Sequence, residues 1–214
     1  MPELKDFSFS SITFDRLRAP LKNVLRCMGY AGGHEQVPPA IFGVIDREYA
    51  RSRHLMRPRG VYVTMKIDTR TGDRVEMGSY ITVNSAHIAR LLSKSEYAVI
   101  FMVTIGRDLE KTVMELSESG RMTEALALDA IGSETADYAA DRLHREVAAS
   151  KAAAQGFSVT PRFSPGYGDW DISVQRDILA VCRGDEIGIS LSDACMMDPQ
   201  KSVSAIFGLE KHSP

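Results

Sequence analysis

The run Tyr97-Ala-Val-Ile-Phe-Met-Val-Thr-Ile105 constrains this chain more than any other stretch. It carries no charged side chain, it is rich in β-branched and aromatic residues, and Gly106 stops it. An apolar segment of strand length with no polar alternation is read as a strand buried on both faces. Such a strand needs a covering layer on each side, and the remaining residues must supply both. Gly106-Arg-Asp-Leu-Glu leads into a helix, so Thr104 to Arg107 reads as a strand-to-helix turn. The longest helical pattern follows, from about Thr123 to Ala154. Leu128, Ile131, Thr135, Ala139 and Leu143 share one of its faces. Gly132 and Ala136 flank that face and are small enough to let another element approach closely. Glu134, Asp137 and Asp141 gather on the opposite face, where a solvated acidic surface is the plain reading and a partner for a ligand ammonium the sharper one.

The other elements are short and mixed. Residues 7–14 read as a strand with Phe7, Phe9, Ile12 and Phe14 as its apolar members. Pro20 opens a helix that carries Leu21, Val24, Leu25 and Met28 and stops at Gly29. Pro38-Pro39 opens a second, with Ile41, Val44, Ile45 and Tyr49 towards a core. Gly60 to Ile67 alternates as a half-buried strand. Thr69 to Asp73 reads as a turn and Tyr80 to Val83 as a strand. Ser85 is placed to cap a short helix through Leu92. Gln155-Gly156 ends the long helix. Phe157 to Phe163 reads as a strand, Ser173 as the cap of a helix through Cys182, and 187–191 and 202–209 as strands. Without regular βαβ alternation, the expectation is an α+β fold with a largely antiparallel twisted sheet and flanking helices. One domain over residues 1–214 is expected, with 1–58 as a candidate smaller lobe.

Charge and cysteine usage narrow the function classes. A formal net charge of -2 does not suggest capture of nucleic acid. No apolar run reaches membrane-spanning length, and Met1-Pro-Glu-Leu-Lys-Asp6 lacks the basic-then-apolar order of a secretory leader. Cys27, Cys182 and Cys195 form no CxxC pair, which fits a reducing cytoplasm. The histidines are scattered, and no Ser-His-Asp, Cys-His or paired-Glu arrangement supports an independent hydrolase.

Two segments stand apart. Arg162-Phe-Ser-Pro-Gly-Tyr-Gly-Asp-Trp-Asp171 places a guanidinium, a Pro-Gly bend, a phenol, two carboxylates and the only tryptophan together. Arg offers a planar donor fork for a carboxylate or phosphate, and Pro-Gly lets a flat ligand approach bare backbone. This is equipment for gripping a small zwitterion or anion. A rigid turn with an Arg–Asp surface pair is the competing reading. Gly166-Tyr-Gly168 lacks the third glycine of a dinucleotide fingerprint. Asp169 and Asp171 are candidates for a metal pair or for turn and cap duties. The second segment is Met196-Met-Asp-Pro-Gln-Lys-Ser-Val-Ser204. Its methionines read as core and turn, or as a soft wall against a flat cofactor. Ser202 and Ser204 read as strand-edge residues or as donors.

With four segments in view, the chain resembles the activation domain of cobalamin-dependent methionine synthase in its compact stand-alone form. They are Val24-Leu-Arg-Cys-Met-Gly-Tyr30, Val103-Thr-Ile-Gly-Arg-Asp-Leu109, Leu128-Asp-Ala-Ile-Gly-Ser-Glu134, and the run from Arg162 through Ser204. The family's Arg-x-x-x-Gly-Tyr motif stands here as Arg162 to Tyr167. The resemblance implies S-adenosylmethionine bound in a shallow groove. It implies repair of oxidised cobalamin on a partner, acting in trans on a cobalamin-dependent methionine synthase or other corrinoid protein. A flavodoxin-like or ferredoxin-like protein would donate the electron. It assigns Arg162 to the methionyl carboxylate, the backbone of Ser164, Pro165 and Gly166 to adenine, and Tyr167 to an orienting place near the methyl and the corrin. Glu134 and Asp137 are its two candidates for the ligand ammonium. A late tyrosine of the fused enzymes, a ligand contact, aligns with Phe207, which is therefore a candidate ligand-binding residue although it lacks the hydroxyl. An S-adenosylmethionine sensor without a methylation role is the alternative.

Overall fold

The computed structural model describes residues 7–15, 17–30 and 37–211, the side chains of 152–155 excepted. Met1 to Asp6, on which the leader argument rests, lie outside the described residues. In chain order the elements are β1 (Phe7–Thr13), α1 (Leu21–Cys27), α2 (Pro39–Leu55), β2 (Arg59–Lys66), β3 (Thr69–Thr71), β4 (Arg74–Met77), β5 (Ile81–Asn84) and α3 (Ala86–Leu91). There follow β6 (Ser95–Thr104), α4 (Asp108–Glu118), α5 (Met122–Gln155), β7 (Phe157–Val159), α6 (Gln175–Cys182), β8 (Ser190–Leu191), β9 (Met197–Asp198) and β10 (Ser202–Lys211).

The apolar run is β6, and it sits in the middle of a five-stranded antiparallel sheet of order β1-β2-β6-β10-β7. Its alternate side chains belong to two different cores. Ala98, Ile100 and Met102 pack with Val61, Val63 and Met65 of β2, Val75, Val83 and α6. Tyr97, Val99, Phe101 and Val103 pack with Ala139, Ala140 and Leu143 of α5. Each large aliphatic or aromatic side chain buried this way contributes about 1.5–3 kcal/mol. The architecture is therefore α+β, with α5 on one face of the sheet and α3, α6 and the β3-β4-β5 sheet on the other. Two further clusters tie α1 and α2, and separately α4, to α5. The face predicted for α5 is buried throughout, from Leu128 to Leu143. Gly132 fulfils the close-approach reading, since a Cβ there would lie 2.6 Å from the Leu109 side chain of α4. Ser85 caps α3, its hydroxyl accepting from the Ile88 amide.

Several local expectations give way to tertiary pairing. Thr69 to Thr71, read as turn, pairs with β4, and the chain turns at Gly72 (φ 65°). The strand after Gln155-Gly156 ends at Val159, because Pro161 has no amide for a ladder. Beyond it only Phe163 bridges to Ile206. Ser173 is not the cap. The Asp171 carboxylate accepts from the Ser173 amide at 2.8 Å and opens a 3-10 turn, Ile172–Val174, ahead of α6. Residues 184–187 form another 3-10 turn, so the strand expected over 187–191 shortens to Ser190–Leu191, paired with β9.

Gly208 of β10 lies opposite Ala98 of β6, and a Cβ there would meet the Ser95 side chain well inside contact distance. Gly208→Ala is expected to lose about 1–3 kcal/mol by overpacking. Urea denaturation checks this, and an unchanged midpoint would show that the sheet yields at no cost.

Candidate ligand-binding site

The short β7 leaves part of β10 uncovered. It pairs only with Leu209 to Lys211, so Ser202 to Ser204 border an open groove of about 1010 Å³. The loop from Arg162 to Tyr167 forms one wall, the segment from Ser192 to Lys201 another, and Ser133 to Asp137 of α5 contribute a third.

The loop is rigid for local reasons. The Gly166 amide donates to the Trp170 carbonyl at 2.8 Å, and the Trp170 amide returns to Tyr167 at 3.1 Å. Gly166 adopts φ +85°, and an added Cβ would lie 3.3 Å from Ile172, so glycine is required there. Trp170 is buried in the core. Phe163 stacks on His87 of α3 with ring centroids 4.1 Å apart. Asp169 accepts from the Ser85 hydroxyl at 2.5 Å and from the Ala86 amide at 2.7 Å, so it caps α3 alongside Ser85. Both loop carboxylates are thus capping groups. The metal-pair alternative is set aside, because Asp169 and Asp171 serve different helix starts.

Arg162 anchors the groove to α5. Its Nε donates to Asp141 at 2.9 Å and one terminal nitrogen to Asp137 at 2.5 Å. Burial works against its charge, but hydrogen bonds and attraction from Asp137 and Asp141 outweigh burial and raise its pKa. The guanidinium is therefore a permanent cation. The acidic face of α5, read first as solvated, is in fact divided between partners. Glu134 turns away, accepting from the Cys27 thiol at 3.0 Å and lying 3.8 Å from Arg26. Burial, then the bond to Glu134, pushes the Cys27 thiol up to about 11.

The structure brings together Arg162, Ser164, Pro165, Tyr167 and Asp137 as groove-lining residues. Gly166 shapes the turn, its amide is consumed inside it, and it is not among the groove-lining residues. Glu134 lies outside the groove lining. Phe207 also lies elsewhere, fully buried with its ring centroid 6.1 Å from that of Phe101 and 4.6 Å from that of His144. The alternation of β10 decides this: Ile206 faces the α6 side, while Phe207 packs beneath α5. Met197 lines the groove from β9, and Met196, read first as core, stands 62% exposed at its border. Tyr167 is likewise 68% exposed.

Two residues, Lys201 and Gln175, escaped sequence reasoning. Lys201 Nζ reaches Asp129 at 2.6 Å and Ser133 Oγ at 2.8 Å, fixing the second segment to α5. Gln175, at the start of α6, accepts from Ser204 Oγ at 2.8 Å, and Ser202 donates to the Pro199 carbonyl at 2.7 Å. The hydroxyls of Ser202 and Ser204 are thus both edge residues and donors. Only the burial of so polar a residue as Gln175 marks it out, and burial is invisible in the chain.

Fold and groove together define an α+β domain whose open sheet edge borders a groove walled by an arginine paired with helix carboxylates. The chain belongs to the family described as vitamin B12 dependent methionine synthase, activation domain, which matches over residues 78–214. Among solved structures it is similar to the crystal structure of the MetH reactivation domain bound to AdoHcy. That likeness has a TM-score of 0.74 at 14% identity, over 97% of this chain and 80% of the other. No curated protein matches the chain in sequence. No helix among the described residues is long and apolar enough to cross a membrane.

The bonds to Asp169 lead us to expect that the loop's attachment to α3 depends on pH. Bonds from the Ser85 hydroxyl, then from the Ala86 and His87 amides, hold the Asp169 carboxyl below its ordinary 3.8. The native chain then binds fewer protons than the unfolded one between those two values. The contribution is complete above the ordinary value and is lost as pH falls through the native one. Thermal midpoints of wild type and Asp169→Asn should differ most above about pH 4 and converge in more acid solution. A gap that does not change with pH would show that the carboxylate charge plays no part.

Proposed function

We propose that this chain binds S-adenosylmethionine in the groove and supports reductive methylation of oxidised cobalamin carried by a partner. That partner is a cobalamin-dependent methionine synthase or another corrinoid protein. The observation that carries the reading is Arg162, a partly buried, permanently charged fork set at the groove by two carboxylates. Asp141 and Asp137 occupy its Nε and one terminal nitrogen, and its remaining N–H groups suit a ligand carboxylate. A groove of about 1010 Å³ accommodates an extended nucleoside–amino acid conjugate. The bound ligand would supply an electrophilic methyl on a sulfonium, and the partner's cobalamin the reduced cobalt, with the electron from a flavodoxin-like or ferredoxin-like protein.

The chain's own task is then orientation rather than proton transfer. Arg162 holds the carboxylate end. Asp137 is the acidic residue placed for the ammonium, since it lines the groove and Glu134 does not. Ser164 and Pro165 offer an unoccupied stretch of backbone to the base. Tyr167, exposed at the rim, orients the methyl-bearing end where a bulky partner can reach it. Family membership supports the reactivation role, and the structural relative's bound AdoHcy supports an S-adenosyl ligand.

Calorimetric titration with S-adenosylmethionine tests the reading. A hydrogen-bonded charged contact is worth about 1.5–3 kcal/mol, so Arg162→Ala should bind roughly tenfold to a hundredfold more weakly. Thermal unfolding controls for folding. Equal affinity of variant and wild type would remove Arg162 from the site. If wild type binds but fails to restore methylcobalamin on an oxidised corrinoid partner, the chain is a sensor instead.

A further inference from the structure

The groove contains a buried polar pair that the arginine clamp does not use. Gln175 is 4% and Ser204 2% exposed, and both line the groove. Ser204 Oγ donates to Gln175 Oε1 at 2.8 Å. A carboxamide has one oxygen with two lone pairs and two N–H donors, so this single bond leaves an acceptor site and the amide donors unspent. Buried polar groups are costly when unsatisfied, and this pair is kept beside an opening rather than replaced by apolar packing. Pro165, Ile172, Met197 and Val203 line the same groove and give it apolar surface suited to a flat ring.

We infer that Gln175, oriented by Ser204, reads the edge of the ligand's adenine and makes the groove selective for that base. This rests on the proposed S-adenosyl ligand. Adenine presents a donor, N6–H, beside an acceptor ring nitrogen, and a carboxamide meets that pattern with its own oxygen and N–H. Hypoxanthine replaces the donor with a carbonyl, so on its N7 edge two acceptors would face the amide and one would stay unpaired. A site built to hydrogen-bond a group discriminates strongly against an analogue that lacks it. Ser204 is a positioning residue: its hydroxyl holds the carboxamide in place.

The test uses two stable thioethers, S-adenosylhomocysteine and S-inosylhomocysteine, titrated into the full chain. Wild type should prefer the adenosyl ligand by about tenfold or more. Gln175→Leu should weaken the adenosyl ligand by a similar factor and bring the ratio near one. Ser204→Ala, a small change at a strand position, should shift the ratio part of the way. A purely structural role for Gln175 would weaken both ligands equally. A ratio unchanged in Gln175→Leu, or no preference in wild type, would overturn the assignment. Binding of neither ligand by wild type would instead overturn the underlying ligand reading.

Discussion

Strand β6 is apolar on both faces, and most of the molecule follows from covering it. Its odd-numbered side chains require α5, and its even-numbered ones require α6 and the β3-β4-β5 sheet. Pairing with β10 along its length continues the same division, with Ile206 in one core and Ala205, Phe207 and Leu209 in the other. One strand thus sets the sheet order, the placing of the longest helix and the direction in which every β10 side chain points.

The groove is a by-product of that arrangement. β10 needs partners on both sides, but β7 reaches only its far end, so the stretch at Ser202 to Ser204 remains open. The loop from Arg162 to Trp170 crosses there, stapled by its own turn, by Trp170 in the core and by Asp169 on α3. Arg162 then extends to α5 and Lys201 does the same from the opposite wall. Two cations from different loops are each matched by α5 carboxylates. The charges satisfy one another while the walls stay apart, which suits a ligand that brings both a carboxylate and an ammonium.

The sequence was most legible where a single element carries its own signal. The double-sided apolar run, the 3.6 period of α5, the Ser85 cap and the Arg162 to Tyr167 turn all announce themselves through neighbours in the chain. What the local pattern misread or left undecided shares one cause. β3 and β4 are three and four residues long and show nothing until they pair. Ser173 looks like a cap because Ser often is one, yet Asp171 lies two residues earlier with a stronger acceptor. Phe207 was placed by alignment with a ligand contact, whereas the register of β10 turns it beneath α5. Glu134 and Asp137 lie three residues apart on one helix face, and only the position of Arg162 tells them apart.

By itself, then, the chain determined the fold class, the central strand, the long helix, the rigid arginine loop and the family to which they belong. Those features are written in local period, turn chemistry and short motifs, which depend on adjacent residues. Tertiary structure alone decided which acid meets Arg162, that Lys201, Gln175 and Ser204 share the groove, and that Phe207 does not. These depend on register and burial between segments far apart in sequence, such as 137 with 162 and 175 with 204. No local pattern encodes them, because they arise only when separate faces are forced together to keep one apolar strand from water.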